Sequence, residues 1–302
     1  MFNLKRWLMA SSVFFSTLLM VNLAFAEMAK HTIKVDDGIY TFGDPAKGYT
    51  SMFVVTSDGV IVLEPVNTEH STALLNAIQS VTKQPIRYLL HSHNHWDHSA
   101  GGQVFRDAGA TIVAHVEAYE WMKANPRQDM ALPDELWAGN RKDITLGGTT
   151  IELHYLGMNH GLGMTVFRLP REKIVFIADL VTPNRLLFTI VLDFNVKQWV
   201  RTLREIEAMD FKTAVFTHGK PVGSKKDVAA NRKFIEDLKG AIYAEFKKGT
   251  NPFEIPGVVK LPKYQDWPMY DKRLAMNAWR LLLDDHMGPF PWRPTHSYEV
   301  GM

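Results

Sequence analysis

Residues 90–102 read Leu-His-Ser-His-Asn-His-Trp-Asp-His-Ser-Ala-Gly-Gly. Four histidines and an aspartate fall within residues 91–98, in a chain that has 12 histidines among 302 residues. Within that run His93, His95, Asp97 and His98 form the pattern His-x-His-x-Asp-His. Neutral imidazole and carboxylate are donors that Zn, Fe or Mn accepts. So dense a cluster reads as a metal site rather than as a solvated, His-rich loop. In an extended segment, residues two apart point the same way, so His93 and His95 can aim two imidazoles at one point. Asp97 and His98 follow where the chain turns and can reach a second point nearby.

These side chains need elements to position them. Residues 86–90, Ile-Arg-Tyr-Leu-Leu, are apolar and β-prone, and the stretch from Ser99 can open a helix. The motif therefore sits at the C-terminal end of a strand, running through a loop into a helix. Three later segments end in a similar way. His160 lies in Gly157-Met-Asn-His-Gly-Leu-Gly, where glycines let the backbone pass close to a ligand. Residues 173–179, Lys-Ile-Val-Phe-Ile-Ala-Asp, form a buried-type strand tipped by Asp179, a charge that needs a partner. Residues 213–219, Thr-Ala-Val-Phe-Thr-His-Gly, repeat the design with His218. The chain has no cysteine, which removes thiolate both as ligand and as nucleophile.

The motif resembles the Thr-His-x-His-x-Asp-His signature of the metallo-β-lactamase superfamily, with Ser92 in place of the usual Thr and Gly101-Gly102 matching its small residues. The segment around His160 is similar to the family's Gly-His-Thr-x-Gly-Ser. The order and spacing of all these segments fit the family from about residue 35 to 245. The resemblance implies an α/β fold, a four-layer αββα sandwich of two mixed sheets flanked by helices. It also implies two divalent ions, Zn foremost, with Fe or Mn open. His93, His95 and His160 hold one, Asp97, His98 and His218 hold the other, and Asp179 bridges them. Three neutral histidines leave an open fourth position, the mark of a catalytic site. An ion pair acidifies a shared water into a nucleophile, with Asp97 orienting it or taking a proton.

The first 26 residues read as a secretory signal peptide: Lys5 and Arg6, a mostly apolar run at 8–23, then Ala24-Phe-Ala26 as the cleavage site. The run is short for a membrane span, so no stable insertion is expected after cleavage, and a periplasmic or secreted location is. Cleavage removes two basic residues and no acid, taking the formal charge from +2 to 0. A neutral chain makes no electrostatic case for nucleic acid.

Residues 27–249 are expected to form the catalytic domain. Thr32–Val35 with Ile39–Phe42, and Met52–Thr56 with Val60–Leu63, flank Asp-Gly turns and read as hairpins. Residues 68–81 carry Leu74, Leu75, Ile78 and Val81 at helical spacing. Residues 109–115 read as a strand and 116–124 as a helix. Residues 125–141, with two prolines, read as an irregular excursion that either covers the site or is a surface insertion. Residues 143–155 return to strands, and 227–248 form a helix. Beyond 250, a Pro-rich stretch leads to a helix at 270–286 with Leu274, Ala278, Leu281 and Leu282 on one face, then an aromatic tail at 289–294. The resemblance does not explain this extension, which either packs on the domain or joins two subunits of a homo-oligomer.

Hydrolysis of an ester, lactone or related bond in a small molecule is the function these readings point to. A carboxylate at Asp179 resembles glyoxalase II and the lactone- and sulfate-ester-cleaving members. True β-lactamases of this fold usually lack it, so β-lactam hydrolysis ranks second. A metal-binding protein without turnover is third, weakened by the presence of Asp97. Export argues against glyoxalase II itself and against RNA processing. Trp96, Met158, Leu186, Leu187 and Phe188 are candidates for an apolar substrate pocket. His91 and His115 are candidates either to support a ligand or to sit satisfied in the core.

Overall fold

A computed structural model describes residues 31–43 and 48–288. The leader at 1–26 and the tail at 289–294 lie outside the described residues. The Asp-Gly turns do close hairpins. β1 (Thr32–Asp36) pairs antiparallel with β2 (Ile39–Phe42), and β3 (Ser51–Thr56) with β4 (Gly59–Leu63). From β4 the chain crosses through α1 (Thr68–Val81) to β5 (Ile86–Leu90), which lies parallel to β4. Parallel neighbours need such a crossover. The next passes through α2 (Trp96–Ser99) and α3 (Gly102–Asp107) to β6 (Thr111–His115), and another through α4 (Val116–Ala124) to β7 (Glu135–Trp137). The seven strands lie in sequence order, antiparallel through β4 and parallel from β4 onward.

The second sheet runs β13-β12-β11-β10-β9-β8. It contains β8 (Arg141–Leu146), β9 (Thr149–Tyr155), β10 (Thr165–Leu169), β11 (Ile174–Ile177), β12 (Thr213–Phe216) and β13 (Val222–Gly223). Its one parallel pair, β11 and β12, is joined through α5 (Val196–Ala208). Then follow α6 (Lys225–Lys247), α7 (Ile255–Val258) and α8 (Tyr270–Met287).

Alternation along the strands builds the layers. Met52, Val54, Ile61 and Leu63 belong to the core shared with the second sheet, whereas Phe53, Val60 and Val62 pack with Leu74, Ala77 and Ile78 of α1. Side chains on successive strand residues face opposite ways, so a strand apolar on both faces must be covered on both. The far face of the second sheet is covered by α5 and α6, with Trp199, Leu203, Phe234 and Leu238 all buried. The result is the αββα sandwich.

Several elements differ from the sequence reading. The excursion at 125–141 contains β7, whose three residues pair with β6 and end on buried Trp137. The excursion is also tied behind the motif by Gly101 N–H to Asp129 O (2.5 Å). Val81 is exposed, because it lies in the last turn of α1 beyond the packed face; Ala77 is buried instead. α5 has no counterpart in that reading, although Val196, Trp199, Leu203 and Ile206 have helical spacing behind the cap Asn195. Residues 251–268 hold the short α7. The α8 stripe Leu274, Ala278, Leu281 and Leu282 is buried in the main core. Among the described residues, no helix is long and apolar enough to cross a membrane.

Candidate metal centre

Every donor singled out above follows the C-terminal end of a strand. His93, His95, Asp97 and His98 follow β5, His160 follows β9, Asp179 follows β11 and His218 follows β12. The structure brings all seven together in two groups whose potential ligand atoms lie within 4.8 Å of one another: His93, His95, His160 and Asp179, and Asp97, His98 and His218. Each group draws donors from both sheets.

Asp179 divides its carboxylate between them. Its Oδ2 lies 3.2 Å from His160 Nε2, 3.7 Å from His93 Nε2 and 4.0 Å from His95 Nδ1. Its Oδ1 lies 2.9 Å from His218 Nε2 and 3.1 Å from His98 Nε2. Asp97 Oδ2 is 3.7 Å from His98 Nε2.

Four of the five outward ring nitrogens are hydrogen-bonded by protein, and the fifth, His160 Nδ1, lies at ion-pair distance from a carboxylate. Ser92 Oγ is 2.8 Å from His93 Nδ1, His98 Nδ1 donates to Glu64 Oε2, and His218 Nδ1 donates to Gly48 O at 2.8 Å. Asp193 serves two rings at once, with Oδ2 2.7 Å from His95 Nε2 and Oδ1 3.1 Å from His160 Nδ1. Such outer partners fix the tautomer and ring orientation of a metal-ligating histidine.

The inward atoms are another matter. His93 Nε2, His98 Nε2 and Asp179 Oδ1 are buried without a hydrogen bond, although His98 and Asp179 are close enough for one. His93 Nε2 belongs to the first donor group, whereas His98 Nε2 and Asp179 Oδ1 face the second. Buried polar atoms are rarely left so, and a cation in each group would satisfy them. The donor set, all N and O, suits a divalent metal.

Charge in the metal-free centre follows from this crowding. Burial pulls the His98 imidazole down, but Asp179 and Glu64 outweigh it and hold it well above the usual histidine range. His95 is likewise raised to about 9: burial lowers it, and Asp179 and Asp193 outweigh that. His93, buried among His95 and His98, is pushed down. Asp179 is held low against its burial by His98 and His218.

Gly161 explains one of the glycines beside His160. Its φ is +49°, and a Cβ there would stand 2.7 Å from His93 Cδ2. A side chain at that position would displace the His93 ring.

The other expected residues separate. Asp97 is half-exposed and accepts from the Tyr49 hydroxyl at 2.9 Å. Trp96 is 43% exposed, with its ring beside Trp121 and under the Arg127 guanidinium. Met158 is half-buried and Phe188 is 69% exposed. Leu186 does not line a pocket: it is fully buried in the core, with Leu187 beside it in sequence nearly so. Their side chains point inward, while their carbonyls accept from α8. His115 caps α4, accepting from Glu117 N–H, and stacks on Tyr155. His91 is buried, and burial pushes its imidazole down to about 4, so it is neutral.

Three participants escape the sequence reading: Glu64, Asp193 and Tyr49. Glu64 had a usable signal, since it tips the apolar strand β4 as Asp179 follows β11. Asp193 and Tyr49 lie in loops without a pattern.

A sequence model described as the metallo-beta-lactamase superfamily matches residues 45–218. The chain belongs to the metallo-β-lactamase superfamily. Among curated relatives it is 31% identical over 144 residues to the 2,4-dinitroanisole O-demethylase subunit alpha of Nocardioides sp. (strain JS1661). That match covers 47% of this chain and 43% of the relative, so it spans less than half the relative's length. The sec-alkylsulfatase Pisa1 from Pseudomonas sp. superposes with a TM-score of 0.69 at 16% identity, over 88% of this chain and 52% of that one. A metallo-beta-lactamase from Pontibacter korlensis superposes at 0.60 with 19% identity, over 68% and 98%. At these identities the two structures share the fold.

Proposed function

We propose that this protein is an exported dinuclear metal-dependent hydrolase that cleaves an ester, lactone or related bond in a small molecule with an apolar part. The division of the Asp179 carboxylate between two donor groups carries this reading. One oxygen serves His93, His95 and His160, and the other serves His98 and His218. Export rests on the signal-like residues 1–26.

In this reading His93, His95 and His160 hold one ion, Asp97, His98 and His218 the second, and Asp179 both. Two divalent ions, Zn foremost, supply Lewis acidity and acidify water at neutral pH. The chain's own groups do the rest. Asp97, half-open to solvent, can orient a water or take its proton, and the Tyr49 hydroxyl steadies the carboxylate through Oδ2. Trp96 and the exposed Phe188 offer apolar surface to the substrate, with Met158 between buried and open. Asp193 and Glu64 keep the rings aimed.

The relatives' names add bonds to test. One is an O-demethylase and another a sec-alkylsulfatase, so an aryl methyl ether and a secondary alkyl sulfate join p-nitrophenyl esters, lactones, a thioester and nitrocefin. The expected result is about two metals per chain and hydrolysis of an ester, lactone or sulfate that a chelator abolishes. Rapid nitrocefin turnover with inert esters supports β-lactam hydrolysis instead. Full activity after complete demetallation defeats both.

A further inference from the structure

Residues 186–194, the later part of the connection from β11 to α5, follow a path that the protein does not leave to itself. Thr189 and Val191 both have left-handed backbones, φ 43° and 38°, a region that costs a β-branched residue energy unless its surroundings enforce it. The enforcement comes from α8. Asn277 Nδ2 donates to Thr189 O at 2.6 Å and to Leu187 O at 3.3 Å. Arg280 donates from Nε to Val191 O at 3.2 Å and from Nη2 to Phe194 O. Leu186 N–H is held by Pro268 O at 3.3 Å. Arg280 is only 4% exposed and is paired with Asp284. A buried guanidinium tolerates that setting only with its donors placed, so the loop carbonyls and the helix fix each other.

What the loop delivers lies at its end. Asp193 reaches His95 and His160, and also accepts from Gly161 N–H at 3.1 Å. The next residue, Phe194, stacks on the His160 ring with centroids 3.9 Å apart and packs at a tilt against Trp199 at the same distance. Together they wall the outer side of the three-histidine group. The charge of Arg280 also acts on Asp193.

We infer that Asp193 is the shared positioning carboxylate for His95 and His160, and that the C-terminal helix α8, through Arg280 and Asn277, sets its position. The extension beyond the family's matched region is then part of the metal centre's support. This rests on the metal-binding reading above. Losing an outer partner of a ligand typically lowers metal affinity about 10- to 100-fold.

The test is titration of Zn²⁺ into chelator-stripped protein against a competing chromogenic indicator, with a melting curve for each metal-free variant. The wild type should take two equivalents. Asp193→Asn should weaken one of them about 10- to 100-fold and leave the other. Asn277→Ala and Arg280→Lys should weaken that same equivalent by a smaller factor. Arg280→Lys added to Asp193→Asn should weaken it little further. Wild-type affinities in Asp193→Asn overturn the role of the carboxylate. Variants of Asn277 and Arg280 that melt earlier yet bind both equivalents normally overturn the role of the helix. If Arg280→Lys does not fold, Asn277→Ala decides. A wild type that takes up no Zn²⁺ overturns the proposed function and this inference with it, whereas two equivalents with unaltered variants overturn the inference alone.

Discussion

The Tyr49 hydroxyl donates to Asp97 Oδ2 at 2.9 Å, across 48 positions of sequence. The same ring meets His218 edge-on, with centroids 4.8 Å apart. The ring also meets His98 edge-on, with centroids 6.1 Å apart, so Tyr49 touches all three members of the second donor group while contributing no ligand atom to it. Burial and the neighbouring Asp97 raise its phenol, so it stays protonated and keeps donating. Tyr49→Phe retains the ring and removes one hydrogen bond to a charged oxygen, worth about 1.5–3 kcal/mol. Metal content should be unchanged and kcat/KM should fall about 10- to 100-fold. Steady-state kinetics beside metal analysis checks this, and an unchanged kcat/KM refutes it.

Asp179 sets one carboxylate oxygen against each group. Asp179→Asn keeps the shape and removes the charge shared between them. Metal retained after dialysis should drop below one per chain, with hydrolysis lost in parallel. Retention of two metals, read by elemental analysis, would falsify the bridging role.

Stability of the metal-free protein should depend on pH through His95. Its folded pKa is raised to about 9 by Asp179 and Asp193 against the pull of burial, whereas the unfolded imidazole titrates near 6.5. A raised pKa contributes stability that is complete below the unfolded value and lost as pH climbs through the folded one. Urea melts of chelated protein should therefore weaken between about pH 6.5 and 9. Metal uptake should strengthen over the same interval, since ligands bind deprotonated. Melts that strengthen with rising pH across this window contradict the assignment.

Phe188 is exposed, with the Arg273 guanidinium 5.2 Å from its ring centroid. Phe188→Ala removes apolar surface without touching the donor groups. KM for substrates with an apolar part should rise several-fold while kcat holds. A comparison of short- and long-chain p-nitrophenyl esters measures it, and equal KM values for both enzymes on the longer ester count against an apolar contact there.

Much of the centre was legible because ligands are chemically scarce. His93, His95 and His98 stand out by spacing, and Asp179 by placing a charge after an apolar strand. Helix α1 and the first hairpins were legible because period and turn chemistry agree over short distances. Asp193 and Tyr49 were not, since their roles arise only when distant loops meet. Leu186 and Phe188 show a related limit. Two residues apart in one loop, one is in the core and the other in solvent, and the backbone's distant contacts with Pro268 and α8 set which way the chain faces. Glu64 was within reach, and the rule applied to Asp179 would have found it.

Both donor groups take members from each sheet. A chain with a single sheet formed can offer only a fragment of either coordination set. Ions should therefore select the finished sandwich over half-assembled intermediates, riveting the two halves at their seam. Chelation should loosen this seam first, so amide exchange would quicken at the tips of β5, β11 and β12 before it spreads to the sheet interiors.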